Sequence, residues 1–325
     1  MIKEFLQALD SEIAPMEQGK QPAELYEPIQ YLMSLGGKRI RPVMCLMAYS
    51  LFREDWKSQV KPALSIEVFH NFTLMHDDIM DKAPLRRGKQ TVHEKWNDNI
   101  AILSGDVMLV EAYQLLNQIQ GLSLSQFQHV LARFSRTAAE VCEGQQWDMN
   151  FEDRADVQIW EYLEMIRLKT SVLLGFSMEM GGLLAQVDSA TAQKLYQIGE
   201  LVGLGFQLKD DLLDVYGDPE KFGKQVGGDI IANKKTYLLI RALELAKGSV
   251  QENLAYWIGL KQFDAEEKVK AVTEIYNQLS LKQAVEAEIK SYFDQAFAYM
   301  EALALPPEKK NTLLGFMTGL VDREV

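Results

Sequence analysis

Apolar residues recur every three or four positions through most of this chain. Phe5, Leu6, Leu9 and Ile13 do so, and Leu25, Ile29, Leu32 and Met33 repeat the pattern. The same spacing runs through 122–141, 159–184 and 195–215. That period gathers apolar side chains on one face of an α-helix. No convincing run alternates apolar and polar residues, so strands are not expected. Turn residues are sparse: Gly36-Gly37, Pro84 with Gly88, Gly217-Asp218-Pro219, Gly227-Gly228 and Pro306-Pro307. Breaks are expected near 15–22, 36–41, 52–57, 82–92, 119–122, 144–156, 185–189, 216–233, 248, 260–263 and 304–307, leaving about a dozen helices. No Pro/Ser-rich linker or low-complexity tract interrupts them. The expectation is an all-α bundle, with residues 1–325 forming a single domain.

Two segments break the ordinary logic of such helices. Leu74-Met75-His76-Asp77-Asp78-Ile79-Met80-Asp81 and Leu208-Lys209-Asp210-Asp211-Leu212-Leu213-Asp214 each carry DDxxD inside an apolar stretch. Residues four apart lie one above the other, about 6 Å along the axis. Asp77 and Asp81 therefore share a face, as do Asp210 and Asp214. Crowded carboxylates on an apolar helix repel one another and are costly to desolvate. Both motifs are expected at helix C-termini, whose partial negative charge adds to the cost. A divalent cation removes it. Hard oxygen ligands suit Mg²⁺, which keeps several waters and shares its remaining sites with substrate phosphates.

Basic residues follow each motif: Lys82, Arg86 and Arg87 after the first, and Lys224, Lys234 and Lys235 after the second. Upstream, Gly36-Gly37-Lys38-Arg39-Ile40-Arg41-Pro42 reads as a glycine turn opening a basic helix. Arginine forks and lysine point charges suit phosphate oxygens, and backbone N–H groups at a helix start add anion affinity. The combination describes a site for two diphosphates.

Composition narrows the rest. The net charge of −12, from 34 Lys+Arg against 46 Asp+Glu, argues against a nucleic-acid partner. Cys45 and Cys142 lack CxxC spacing and read as small core residues. Met1 to Lys20 has neither the apolar run of a secretory signal nor the look of a transit peptide. No stretch of some 20 uncharged apolar residues is present to span a membrane. A reducing cytoplasm is the expected location.

Taken in order, these landmarks resemble a known family, the trans-isoprenyl diphosphate synthases of polyprenyl synthetase type. The set comprises Gly36 to Pro42, His70, the first DDxxD with Arg86-Arg87-Gly88, His93, Ser104-Gly105-Asp106, Gly144-Gln145 with Asp148, Lys169-Thr170, Gly205-Phe206-Gln207 with the second DDxxD, Gly223-Lys224, and Asp229 with Lys234-Lys235-Thr236. It is strong from Gly36 to Thr236 and weaker beyond. The resemblance implies one helical bundle, the type I isoprenoid synthase fold, around a deep central cavity, working as a homodimer. It implies substrates too: an allylic diphosphate, extended by isopentenyl diphosphate.

By the same resemblance, Asp77 and Asp81 would bind two Mg²⁺ ions and Asp210 a third. Asp78, Asp211 and Asp214 would support them through water or from behind. Arg86, Lys169, Thr170, Gln207, Lys224 and Lys234 would hold the allylic diphosphate. Lys38, Arg41, His70 and Arg87 would hold isopentenyl diphosphate. The departing diphosphate would serve as the base, which fits the lack of any Ser-His-Asp or Cys-His arrangement. Two departures concern loops: Gln90 stands where proline is usual, and Ala232-Asn233 where an acidic residue and a glycine are common.

In this family the turns before the first DDxxD form the cavity floor. A turn rises about 5.4 Å, close to one isoprene unit. Phe69, Phe72 and Thr73 stand eight, five and four residues before Asp77. One aromatic five before, with a small residue four before, resembles a geranylgeranyl (C20) floor, with farnesyl (C15) as the alternative. Rival readings are a terpene cyclase, a non-catalytic subunit of a heteromeric synthase and a plain helical scaffold. The second set of diphosphate cations, the intact acidic motifs and the apolar setting of the carboxylates weigh against them in turn.

Overall fold

The computed structural model describes residues 1–217 and 227–321, so Lys224 lies outside the described residues. The chain is all-α, as the periodicity predicts, and divides into two compact units. One comprises 1–135, 176–196 and 303–313; the other comprises 136–175, 197–302 and 314–325.

In the first unit, α1 (Ile2–Ile13), α2 (Ala23–Ser34) and α3 (Ile40–Ser50) precede α4 (Val60–Met80), its central helix. Residues Pro62 to Phe69 of α4 are buried on every face, the mark of a helix wrapped by others. It packs against α3, α1 and most extensively α6 (Asp98–Leu116). Gly105 permits that last contact: a Cβ there would sit 2.3 Å from His76 Nε2, which hydrogen-bonds the Ile102 carbonyl at 3.1 Å. Between them lies α5 (Val92–Lys95). By length and composition, α6 could cross a membrane. However, Ala101, Met108, Ala112 and Leu116 are buried within this unit, and Asp106 and Glu111 interrupt the apolar run.

A small hairpin appears where only a loop is expected. Leu85–Arg86 pairs with Lys89–Gln90 around Arg87 (φ 52°) and Gly88 (φ 73°). Two positive φ values are what the type I′ form of a two-residue hairpin turn demands. Strands of two residues are too short to show alternation.

In the second unit, α7 (Leu124–Glu152) contributes its later turns, followed by α8 (Ile159–Ile166) and a wide π-turn, Arg167–Ser171. Then come the first turn of α9 (Val172–Leu184) and the part of α10 (Ser189–Tyr216) from residue 197 on, followed by α11 (Gly228–Ile231), α12 (Tyr237–Leu245), α13 (Ser249–Gly259), α14 (Ala265–Gln278), α15 (Leu281–Glu301) and the part of α16 (Pro307–Val321) beyond residue 313. A break expected from residue 144 comes later, because α7 continues to Glu152. Gly144 stays helical for a packing reason: its missing Cβ would lie 2.3 Å from the Lys169 backbone nitrogen. The break near Ser280, which takes φ 55°, carries no Gly or Pro and escapes sequence reading. Cys45 is buried as expected; Cys142 is exposed, since its position on α7 faces outward, and neither forms a disulfide.

Candidate functional site

The first DDxxD closes α4. Asp77 is half-buried in its last turn, and exposed Asp81 is the C-cap, its N–H bonded to the Asp77 carbonyl at 2.8 Å. Asp78 points the other way. It is 2 % exposed and takes a two-pronged contact from Arg86, Nε to Oδ2 and Nη2 to Oδ1, each 2.7 Å. The hairpin thus sets Arg86 against the helix that carries the motif.

The Gly36-to-Pro42 segment is held from inside. Arg39 adopts φ 47°, a left-handed conformation unfavourable for a side-chain-bearing residue. Its guanidinium is buried, donating to Glu67 Oε1 at 2.8 Å and to the Met33 carbonyl at 2.7 Å. Asn71 also donates to Glu67 Oε1, at 3.1 Å. These bonds over-determine the strained turn and fix the segment bearing Lys38 and Arg41. Arg87 donates to the Gly36 carbonyl, joining hairpin and glycine turn. Desolvation holds the His70 imidazole well below its ordinary pKa, and Arg41, Arg86, Arg87 and Arg39 push the same way. His70 is therefore a neutral ring in a cationic surround. On the same helix, Phe69 and Phe72 join an aromatic cluster. Their rings lie 5.6 Å apart, Phe69 is 5.4 Å from Phe134, and Phe72 is 4.8 Å from the His76 ring. Thr73 bonds back to the His70 carbonyl at 2.8 Å.

The second DDxxD lies in the last turns of α10. Asp210 and Asp214 are half-buried, while Asp211 is buried. Asp211 accepts from Tyr162, a buried hydroxyl of α8, and from Gln207 Nε2 at 3.0 Å. Thr170 donates to Gln207 Oε1 at 3.1 Å. Burial, and next the charge of Asp229, push the Asp211 carboxyl up to about 7 against the bonds from Tyr162 and Gln207. Asp214 Oδ2 accepts from the Asp229 N–H at 2.9 Å, which anchors the loop leading to Lys234. Lys169 donates to Asp148 at 2.7 Å, and Lys234 reaches the same carboxylate at 3.9 Å. Burial opposes ionisation of Asp148, but the two lysines outweigh it and hold its pKa below the usual range. In the late loop Asn233 takes φ 52°, the conformation a glycine would favour, and bonds to the Ile258 carbonyl at 3.1 Å.

The structure thus brings Asp77, Asp78, Asp81, Arg86, Arg87 and His70 into one unit with Lys38 and Arg41. It brings Asp210, Asp211, Asp214, Lys169, Thr170, Gln207 and Lys234 into the other. Tyr162 carries no signal in the sequence. Asp148 and Asp229 stand among its landmarks, but that Asp148 holds two lysines and that the Asp229 N–H anchors Asp214 emerges only from the structure. Among the described residues no three acidic, His or Cys side chains converge on one point. Paired carboxylates on one helix face suit Mg²⁺, which binds through one or two carboxylates plus waters and phosphate oxygens and needs no protein cage. The donor set fits that ion.

The model of the polyprenyl synthetase family matches residues 22–276. The chain is 35 % identical over 323 residues to a geranylgeranyl diphosphate synthase of Methanosarcina mazei, covering 99 % of this chain and 97 % of the relative. It is 36 % identical over 256 residues to a geranylfarnesyl diphosphate synthase of Natronomonas pharaonis, covering 74 % of each. A crystal structure of a geranylgeranyl pyrophosphate synthase superposes with a TM-score of 0.94 at 43 % identity, covering 100 % of this chain and 99 % of that one. With the family model matched over residues 22–276 and relatives this similar along their length, the chain belongs to the polyprenyl synthetase family.

Proposed function

We propose that this protein is a Mg²⁺-dependent prenyltransferase that joins an allylic diphosphate to isopentenyl diphosphate and releases geranylgeranyl diphosphate. One observation carries the reading. Each DDxxD turns its middle carboxylate inward to hold a neighbouring group, Arg86 in one case and Gln207 with Tyr162 in the other, and keeps its first carboxylate half-exposed. That division suits a helix end that must both bind cations and orient the residues around the leaving group.

Asp77, Asp81 and Asp210 would hold the ions, three in all, with Asp78, Asp211 and Asp214 supporting them. Magnesium, when bound, neutralises the charge that builds on the departing diphosphate. Arg86, Lys169 and Lys234, together with Lys224, grip that diphosphate. Lys169 and Lys234 are already gathered by Asp148, so little reorganisation is needed when the anion arrives. Lys38, Arg41 and Arg87 take isopentenyl diphosphate. Neutral His70 adds a hydrogen bond without adding a charge. Thr170 and Gln207 present oxygen dipoles to the allylic cation. The double bond of isopentenyl diphosphate attacks that cation, and the proton lost afterwards goes to the released diphosphate.

Product length follows from α4. Phe72 sits five residues before Asp77 within the Phe69–Phe72–Phe134 cluster, and small Thr73 lies beside it. This favours C20. The geranylfarnesyl relative makes C25 the reading to set against it. The working form is a homodimer in the cytoplasm. The test is to incubate the purified protein with Mg²⁺, isopentenyl diphosphate and each allylic primer, then measure released chain lengths. C20 from farnesyl diphosphate is expected. Absence of any chain extension overturns the activity, and C15 or C25 as the end product overturns the length.

A further inference from the structure

We propose that Tyr162 is a positioning residue for the coupling step, acting through Asp211 on the orientation of Gln207 and Thr170. The inference rests on the function proposed above. Tyr162 lies in α8, one turn ahead of the π-turn that carries Lys169 and Thr170. It is 1 % exposed, and its hydroxyl donates to Asp211 Oδ2. The other oxygen, Oδ1, accepts from Gln207 Nε2 at 3.0 Å, and Gln207 Oε1 accepts from Thr170 Oγ1 at 3.1 Å. The four groups form two rungs between α8 with its π-turn and α10, where Gln207 and Asp211 stand one turn apart.

The polarity of this chain follows from its contacts. Asp211 accepts at both oxygens, so the end of Gln207 facing it is its amino group. The other end is then its carbonyl oxygen, which must take the Thr170 proton. With that proton committed to Gln207, the Thr170 oxygen presents lone pairs, the correct sign beside an allylic cation. If the amide were reversed, its amino group would face Thr170. The hydroxyl would then accept, and its O–H dipole would point at developing positive charge. Tyr162 occupies the second oxygen of Asp211 and fixes the carboxylate plane on which the arrangement depends. A phenol beside Asp211 and Asp229 stays protonated, because burial and then the charge of Asp211 push its pKa well above the ordinary value. It therefore remains a donor throughout the working pH range.

The test is a double-mutant cycle of Tyr162→Phe and Gln207→Leu, read as kcat, both KM values and the Mg²⁺ half-saturation concentration. Tyr162→Phe keeps the ring and is expected to lower kcat about tenfold, the scale of one buried hydrogen bond, with KM and Mg²⁺ dependence unchanged. In the Gln207→Leu background it should lower kcat no further, since no amide remains to orient. Asp211→Asn, which lets the amide reverse, should reproduce the kcat loss and stands in if Tyr162→Phe does not fold. An unchanged kcat in Tyr162→Phe, a loss that persists in full beside Gln207→Leu, or a loss confined to KM overturns the proposal. A wild-type enzyme that extends no primer overturns the underlying function instead.

Discussion

Asp78 and Arg86 form a two-pronged ion pair, with both contacts at 2.7 Å and the carboxylate 2 % exposed. The middle residue of the first acidic motif is therefore committed to an arginine and is turned away from its two neighbours. An arginine held this way presents its remaining N–H groups in a fixed direction. Removing one partner of a buried pair leaves the other uncompensated and costs about 3–5 kcal/mol; partial exposure of Arg86 places this pair at the lower end.

Asp78→Asn should therefore raise the KM for the allylic diphosphate roughly tenfold or more while the Mg²⁺ requirement changes little. Steady-state kinetics over a Mg²⁺ titration check this. A large shift in Mg²⁺ half-saturation with an unchanged KM would make Asp78 a ligand instead.

Asp148 gathers Lys169 and Lys234 on one carboxylate. Asp148→Asn removes the charge that holds them, so both ammonium groups must be collected by the substrate itself. The expectation is a fall in kcat/KM for the allylic substrate of about tenfold to a hundredfold, through lost preorganisation. The KM for isopentenyl diphosphate should stay near the wild-type value. Kinetics with each substrate varied in turn distinguish the two.

Phe72 fills space between Phe69 and His76. Phe72→Ala opens a void of about one isoprene unit and costs roughly 3 kcal/mol of stability by the usual scale for buried phenylalanine. Products should lengthen beyond C20, as read by chromatography of the dephosphorylated alcohols. Unchanged chain length would remove Phe72 from the floor.

A pH effect is expected away from this chemistry. Glu17 and Glu111 are both buried beside Lys20, which reaches Glu111 at 2.6 Å and Glu17 at 3.1 Å. Burial, and next the charge of Glu111, push the Glu17 carboxyl up to about 7. The folded pKa lies above the unfolded one, so the fold prefers the protonated acid. This contribution is complete below the unfolded pKa near 4.5 and is lost as pH rises through about 7. Thermal stability should therefore decline between pH 5 and pH 8, and Glu17→Gln should flatten that slope. Melting curves across the range decide it.

The helical character of the chain, both acidic motifs and most of the breaks were legible in the sequence. They are local properties: an apolar period of three to four, a carboxylate pair one turn apart, a glycine or proline where the backbone must turn. Asp77 above Asp81 needs nothing beyond helix geometry. What α4 and α10 do with Asp78 and Asp211 could not be read the same way, because adjacent residues of one motif differ only in which face they occupy. The Arg39–Glu67 pair spans 28 positions and the Tyr162–Asp211 bond 49. Neither partner carries a pattern that names the other. The same holds for Gly144, which looks like a break until the Lys169 backbone is seen against it. Spacing along a helix assigns direction, whereas pairing across helices depends on packing, and packing is settled by the whole chain at once.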